Sequence, residues 1–262
     1  MEAAAYVTFA RNERDHFWFV GRRAIFFDQI RRAMPPKSPD AVVLDLGCGV
    51  GGMLGPLSEY GEVVGMDLDH GSLEFCKERG FERVFRGFGD KLPLKDNSVD
   101  LIGAFDVLEH IPEERETIEE CFRILKPGGR FFLSGPAYQF LYTHQDKMVH
   151  HQRRYTVGDL KRKFRREGFE IEKGSYINFF LFPLIFTLVM LKKVQEKINP
   201  PRDEETRFNT DVKMPAWLNR LFATVFSAER FILRHLSAPT GHSLILMARK
   251  PLESDQGTST RK

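Results

Sequence analysis

Four stretches place chemically capable residues at spacings that could serve a ligand. The first is Val42–Gly52, VVLDLGCGVGG, where an aliphatic run ends at Gly47, Cys48 and Gly49 and continues into Gly51 and Gly52. Glycines let such a turn take positive φ and let a ligand approach the backbone closely. Strand, tight turn, helix is the order of a nucleotide-type cradle. Asp45 stands just before the first glycine, where a carboxylate suits a cationic ligand better than a pyrophosphate. The second is the end of the next apolar run, Asp67-Leu68, where a carboxylate can accept hydrogen bonds from ribose hydroxyls. The third is Phe105–Pro112, FDVLEHIP, in which His110 is either a general base or a structural histidine opening a helix. The fourth is His144–Arg154, HQDKMVHHQRR, followed by Tyr155. It shows no apolar periodicity and reads as a loop over the site. Its His and Arg content fits either an anionic substrate or a solvated basic surface. His151 belongs to it, and no second cluster at ligand spacing accompanies it, so no metal is expected.

The elements that must position these residues alternate. Strands are expected at Ala41–Leu46, Glu62–Met66, Arg83–Arg86, Val99–Phe105 and Arg130–Ser134. Helices are expected at Glu13–Arg32, Met53–Tyr60, His70–Arg79, Glu113–Leu125 and Thr156–Glu167. Lys126-Pro127-Gly128-Gly129 reads as a turn. Alternation of this kind gives a parallel sheet with helices on both faces, and its ligands bind where the strands' carboxyl ends collect their loops. Phe169–Tyr176 and His242–Ala248 complete the strands, with about 65 residues between them, far beyond a hairpin loop.

Gly47, Gly49 and Gly52 also satisfy G-x-G-x-x-G, so an NAD-dependent oxidoreductase is one alternative. LDLGCGVG followed by VVGMD, with LEHI and LKPGG further on, resembles the class I S-adenosylmethionine-dependent methyltransferases of the small-molecule and quinone type. The resemblance implies a Rossmann-like seven-stranded sheet with helices on both faces, here with a helical insertion between strands six and seven. It implies S-adenosyl-L-methionine as cofactor and S-adenosyl-L-homocysteine as product. Cofactor contacts then fall on Asp45, Gly47, Cys48, Gly49, Asp67, Leu68, Phe88, Gly89, Asp90, Phe105 and Asp106. The family often has an acidic residue for the adenine amino group where Phe88 stands, so either Phe88 stacks on the ring or Asp90 takes that role. HFWF with Gly21-Arg22-Arg23 resembles a lead-in helix that closes over the cofactor, with Arg22 or Arg23 for its carboxylate; the alternative is a core-packing amphipathic helix. Candidate bases for a hydroxyl acceptor are His110, His151 and Tyr138, in that order. A scaffold that keeps the cofactor fold without turnover is the other alternative.

Composition sets the rest. Hydrophobic residues make up 42% and charged residues 29% of 262 residues, and the net charge is +3, so nothing points to a nucleic-acid partner. The three cysteines are scattered, as in a reducing compartment. No signal-peptide pattern opens the chain, and a cytoplasmic location is expected. The insertion opens with INFFLFPLIFTLVML, residues 177–191, too short for a span and interrupted by Pro183. It reads as a cap, a dimer face or a peripheral membrane contact, favouring a small or amphiphilic, lipid-linked acceptor. The expected organisation is a lid over residues 1–34, a core over 40–176, the insertion over 177–240, a last strand over 241–250 and a disordered tail over 251–262. The sequence sets no oligomeric state.

Overall fold

The computed structural model describes residues 12–34, 40–199 and 214–252. Residues 1–11, 35–39, 200–213 and 253–262, which include the start of the expected lid, part of the expected insertion and most of the expected tail, lie outside them. In chain order the elements are α1 (Phe17–Ala33), β1 (Val42–Leu46), α2 (Leu54–Leu57), β2 (Glu62–Asp67), α3 (His70–Glu78), β3 (Val84–Arg86) and β4 (Val99–Phe105). They continue with α4 (Glu114–Ile124), β5 (Leu125–Pro136), α5 (His144–Met148), α6 (Val157–Arg166), β6 (Glu170–Ile177), α7 (Phe182–Ile198), α8 (Ala216–Leu233) and β7 (Ser243–Arg249). One seven-stranded sheet runs β3-β2-β1-β4-β5-β7-β6. Strands β1 to β5 pair in parallel, and β7 lies antiparallel between β5 and β6. The central strands are buried on both faces, which explains their nearly continuous apolar sequences.

Three local expectations change. Lys126-Pro127-Gly128-Gly129 is not a turn between elements: β5 runs through it, with a shift of register opposite Val99 and Leu101 and Gly128 at φ +80°. The stretch expected as a loop contains α5, started by a capping box in which Thr143 and Asp146 satisfy each other's backbone N–H. Pro183 does not interrupt the insertion helix. It occupies the first turn of α7, where a missing N–H costs nothing.

The insertion is two helices with different fates. Helix α8 packs on α1: Phe226 is fully buried against Gly21, and Arg234 makes a forked pair with Asp28. Buried Glu229 accepts the Phe180 N–H at 3.1 Å, tying α8 to the start of α7. Helix α7 has no buried residue. It touches the body through Phe182 and Phe186, which meet the rings of Tyr138 and Phe140 just after β5, through Lys193 Nζ, which donates to the Phe140 carbonyl at 2.7 Å, and through Glu196, which accepts the His144 N–H at 3.4 Å. No helix of the described residues is long and apolar enough to cross a membrane.

Candidate active site

The glycine turn leaves β1 with Gly47 at φ +71° and Gly49 at φ +51°. Both need glycine for different reasons. A side chain on Gly47 would strike Val107 at 2.5 Å, whereas one on Gly49 would meet nothing within 4 Å. Gly47 is therefore fixed by packing, and Gly49 faces open space at the end of the strand. Asp67 orders this loop from β2: it accepts the Gly49 N–H at 2.8 Å and the Asp69 N–H at 2.9 Å. Each of its oxygens keeps lone-pair capacity for a further donor. Asp45 is almost wholly buried and its Oδ2 has no partner among the described residues. Burial first, and the nearby Asp67 charge second, push its carboxyl up to about 8. Glu13, from the segment before α1, lies over Gly52, where a side chain would meet its carboxylate at 2.3 Å, and pairs with Arg79 at 2.7 Å. The segment before α1 thus meets the cradle at Gly52.

Across the strand ends, Asp106 sits at φ +56° just after β4, accepting from Arg22 of α1 and from Ser134 Oγ at 3.1 Å. The Arg22 guanidinium lies 4.8 Å from the Phe19 ring centre, and its Nε has no partner among the described residues. Next comes Glu109, fully buried with both oxygens unpaired among the described residues. Burial, then the Asp106 charge, raise its carboxyl far above the ordinary range. His151 directs Nδ1 to Asp146 at 2.8 Å and Nε2 towards Glu109 at 3.9 Å. Asp146 is itself gripped by Arg154 through Nε at 2.8 Å and Nη2 at 3.0 Å. Burial pushes the Asp146 carboxyl up, but hydrogen bonds from His151, Arg154 and Thr143 reverse this and hold it well below the usual carboxylate value. His110 lies edge-on to His151 at 4.7 Å, and burial with the His151 charge lowers it to about 4.

Of the sequence candidates, Asp45, Gly47, Gly49, Asp67, Asp106 and Arg22 collect at the strand ends, with His110 and His151 beside Asp106. Leu68 and Phe88 are exposed there. Others go elsewhere. The Cys48 side chain turns into a core cluster with Leu54, Leu73 and Cys76, so only its backbone belongs to the cradle. Phe105 packs beneath α1 against Phe26 and Phe132, because β4 points its last residue inward. Asp90 is an exposed turn carboxylate beside Glu116 and Arg123 on the outer face of α4, and Gly89 is pressed against Thr117. Tyr138 stacks on Tyr176 at 4.9 Å and bonds Thr240 at 3.0 Å, in a separate aromatic cluster. Glu109, Asp146 and half-buried His242 were not singled out in the sequence, since nothing local marks a residue as buried or shows the partners that distant loops bring to it.

Residues 44–133 match the methyltransferase domain family. A protein of Mycolicibacterium smegmatis described as a probable S-adenosylmethionine-dependent methyltransferase is 29% identical over 163 residues, covering 60% of this chain and 61% of that one. The family match places a methyltransferase domain at residues 44–133 of this chain. Among solved structures, a Haloferax volcanii methyltransferase in complex with its activator Trm112 aligns with TM-score 0.58 and 21% identity, over 94% of this chain and 97% of that one. A phosphoethanolamine N-methyltransferase of Haemonchus contortus bound to S-adenosylmethionine aligns with TM-score 0.54 and 18% identity, over 93% of this chain and 60% of that one. The chain spans at most 61% of the length of the first curated relatives it matches. The cofactor named for those relatives, S-adenosylmethionine, fits the residues present. Open space over Gly49 admits an adenosyl ligand, and the unpaired, buried Asp45 carboxylate is matched by a cationic amino-acid end.

Proposed function

We propose that the chain catalyses methyl transfer from S-adenosylmethionine to an amphiphilic, lipid-linked acceptor. When bound, the cofactor supplies an electrophilic methyl group on a sulfonium leaving group. The chain's work is alignment and exclusion of water. In this reading Asp67 holds the ribose, Asp45 the amino-acid end and exposed Phe88 the adenine face. The Arg22–Asp106 pair closes the mouth from α1. The acceptor's head lies at the polar cluster of Glu109, His110 and His151. Among the candidate bases at this cluster, His151 has its ring oriented by Asp146, which holds its Nδ1. A hydroxyl acceptor would give its proton up at this cluster, whereas an amine or carboxylate needs no base.

The observation that carries the acceptor class is α7. This helix buries no residue, yet it is anchored by Phe182 and Phe186 to the Tyr138–Phe140 segment that follows β5. Leu184, Leu188, Leu191 and Ile198, spaced four, three and seven residues apart, make one exposed apolar stripe on it. A soluble acceptor gives no reason for such a stripe. A lipid surface does, and Lys197 in the last turn of the same helix suits an anionic headgroup. The test is methyl-labelled cofactor incubated with the protein, total lipid extract and, separately, water-soluble acids and amines. Label entering the organic phase, lost in Asp67→Ala, supports the reading. Label confined to a water-soluble product overturns the acceptor class. No transfer, with calorimetry showing tight S-adenosylhomocysteine binding, favours the scaffold alternative.

A further inference from the structure

We infer that Glu109, His110 and His151 form a binding site for a single divalent transition-metal ion of the zinc type. One ligand atom from each residue can be chosen so that all lie within 4.8 Å of one another. This goes beyond the methyl-transfer reading and runs counter to the expectation of no metal, which rested on ligand spacing along the sequence. Glu109 and His110 are adjacent in one loop, and His151 arrives from another after a gap of about 40 residues, so no spacing motif could show it.

Three observations point to a cation. The first is Glu109: a fully buried carboxyl with neither oxygen partnered among the described residues is costly, and native structures rarely leave one without a ligand, water or ion. Arg22 and Arg154 lie near enough to act on its charge, but neither bonds it, since they are directed to Asp106 and Asp146. The second is that His151 has one nitrogen already held: Nδ1 is on Asp146 at 2.8 Å, and Nε2 is directed towards Glu109 at 3.9 Å. That leaves Nε2 for coordination, in the outer-shell arrangement that orients metal-bound histidines, with the His110 ring edge-on beside it. Asp146 is braced in turn by Arg154, so the His151 ring is fixed rather than swinging. The third is position. The trio adjoins Asp106 at the mouth, on the side where the acceptor head is placed. Two imidazoles and one carboxylate favour zinc and its first-row neighbours over magnesium or calcium, which take oxygen-rich sets. Three protein ligands leave coordination positions for an oxygen of the acceptor or of water.

The experiment uses the full chain, stripped with chelator and titrated with Co²⁺ as a spectroscopic probe, with Zn²⁺ and Mg²⁺ as competitors. One Co²⁺ per chain, with visible bands of low coordination number, displaced by Zn²⁺ and not by Mg²⁺, is expected. Glu109→Gln and His110→Gln should each abolish the bands, and Asp146→Asn should weaken binding about 10- to 100-fold. S-adenosylhomocysteine binding and the melting curve of each variant report whether it folds. His70→Ala, at the exposed His70–Glu74 pair, should change nothing. Four results would overturn the site: no Co²⁺ uptake, uptake unaffected in folded Glu109→Gln and His110→Gln, uptake lost in His70→Ala, or a thiolate charge-transfer band placing the ion on Cys48 and Cys76. Failure of the cofactor to bind while Co²⁺ binds as described would count against the methyl-transfer reading and leave the metal site standing.

Discussion

Asp45 makes a test of the cradle through its proton. Its carboxyl is raised from an ordinary value of 3.8 to about 8 by burial and by Asp67, so near neutrality the folded, ligand-free protein keeps the proton. The sign follows. Between those values the folded state binds more protons than the unfolded chain, so this residue's contribution to stability falls as pH rises through the window. A cationic ligand needs the carboxylate, so its binding expels the proton and its affinity rises with pH. The expected slope for S-adenosylmethionine is up to about tenfold per pH unit between about pH 6 and 7.5. Calorimetry in buffers of different ionisation enthalpy should show the proton released, and Asp45→Asn should flatten both dependences. A pH-independent wild-type affinity would remove Asp45 from the ligand's cationic end. Asp45 and the glycines were legible in the sequence because positive φ and a charge beside a turn are local properties. Glu109 and Asp146 were not, although both lie within stretches that drew notice. Their importance comes from burial and from partners brought by other loops, such as Arg154 to Asp146 and His151 to Glu109. The T-x-x-D spacing of Thr143 and Asp146 was the one available signal, and it marks a helix start rather than a site.

Elements were legible where period and punctuation agree. Strand β4 has the bounds read from its sequence, and Gly80 and Gly168, both at positive φ, mark the chain just beyond α3 and α6. The Lys126–Gly129 stretch misled because proline and glycine usually end elements, whereas here they form an irregularity within β5 that Lys250 secures. Lys250 Nζ donates to the carbonyls of Phe122 at 2.7 Å and Leu125 at 2.8 Å and to Asn97 Oδ1 at 2.8 Å. It thereby closes the C-terminal end of α4 from the last strand. Lys250→Met should cost about 2–3 kcal/mol, because the carbonyls stay buried without a donor. Urea unfolding measures it, and a loss below about 0.5 kcal/mol would show the cap to be redundant. Helix α1 depends on a close contact of another kind. A side chain on Gly21 would meet the buried Phe226 ring at 2.4 Å. Alanine in a helix interior gains about 1 kcal/mol over glycine, but overpacking costs about 1–3 kcal/mol, so Gly21→Ala is expected to destabilise on balance. Because Arg22 follows directly, the same variant should also weaken S-adenosylhomocysteine binding; a more stable protein with unchanged affinity would show that α8 yields easily.

At the scale of the molecule, the apolar surface lies where the core fold has no use for it. Leu191, Ile198 and Trp217 are 62%, 71% and 68% exposed, all within the helices between β6 and β7. The sequence holds 24 phenylalanines but does not divide them between interior and surface. Phe26, Phe105, Phe132 and Phe226 build one core cluster under α1, while Phe180 and Phe186 of the insertion remain at the surface. A stripe on a helix that buries nothing must find an apolar neighbour, and a lipid surface and a second copy of the chain predict different behaviour. If lipid is the neighbour, the protein should co-sediment with vesicles containing anionic phospholipid and less with neutral ones, and salt should weaken the attachment. Leu188→Glu and Leu191→Glu together should reduce partitioning by about a hundredfold, taking about 1.4 kcal/mol as the lost burial per leucine. Neither residue touches the cradle, so S-adenosylhomocysteine affinity should stay unchanged. If a second copy is the neighbour, sedimentation velocity without lipid should give a dimer that the double variant converts to monomer. In that event vesicles would not retain the wild type, and a lipid-linked acceptor would lose its structural support while the methyl-transfer cradle kept its own.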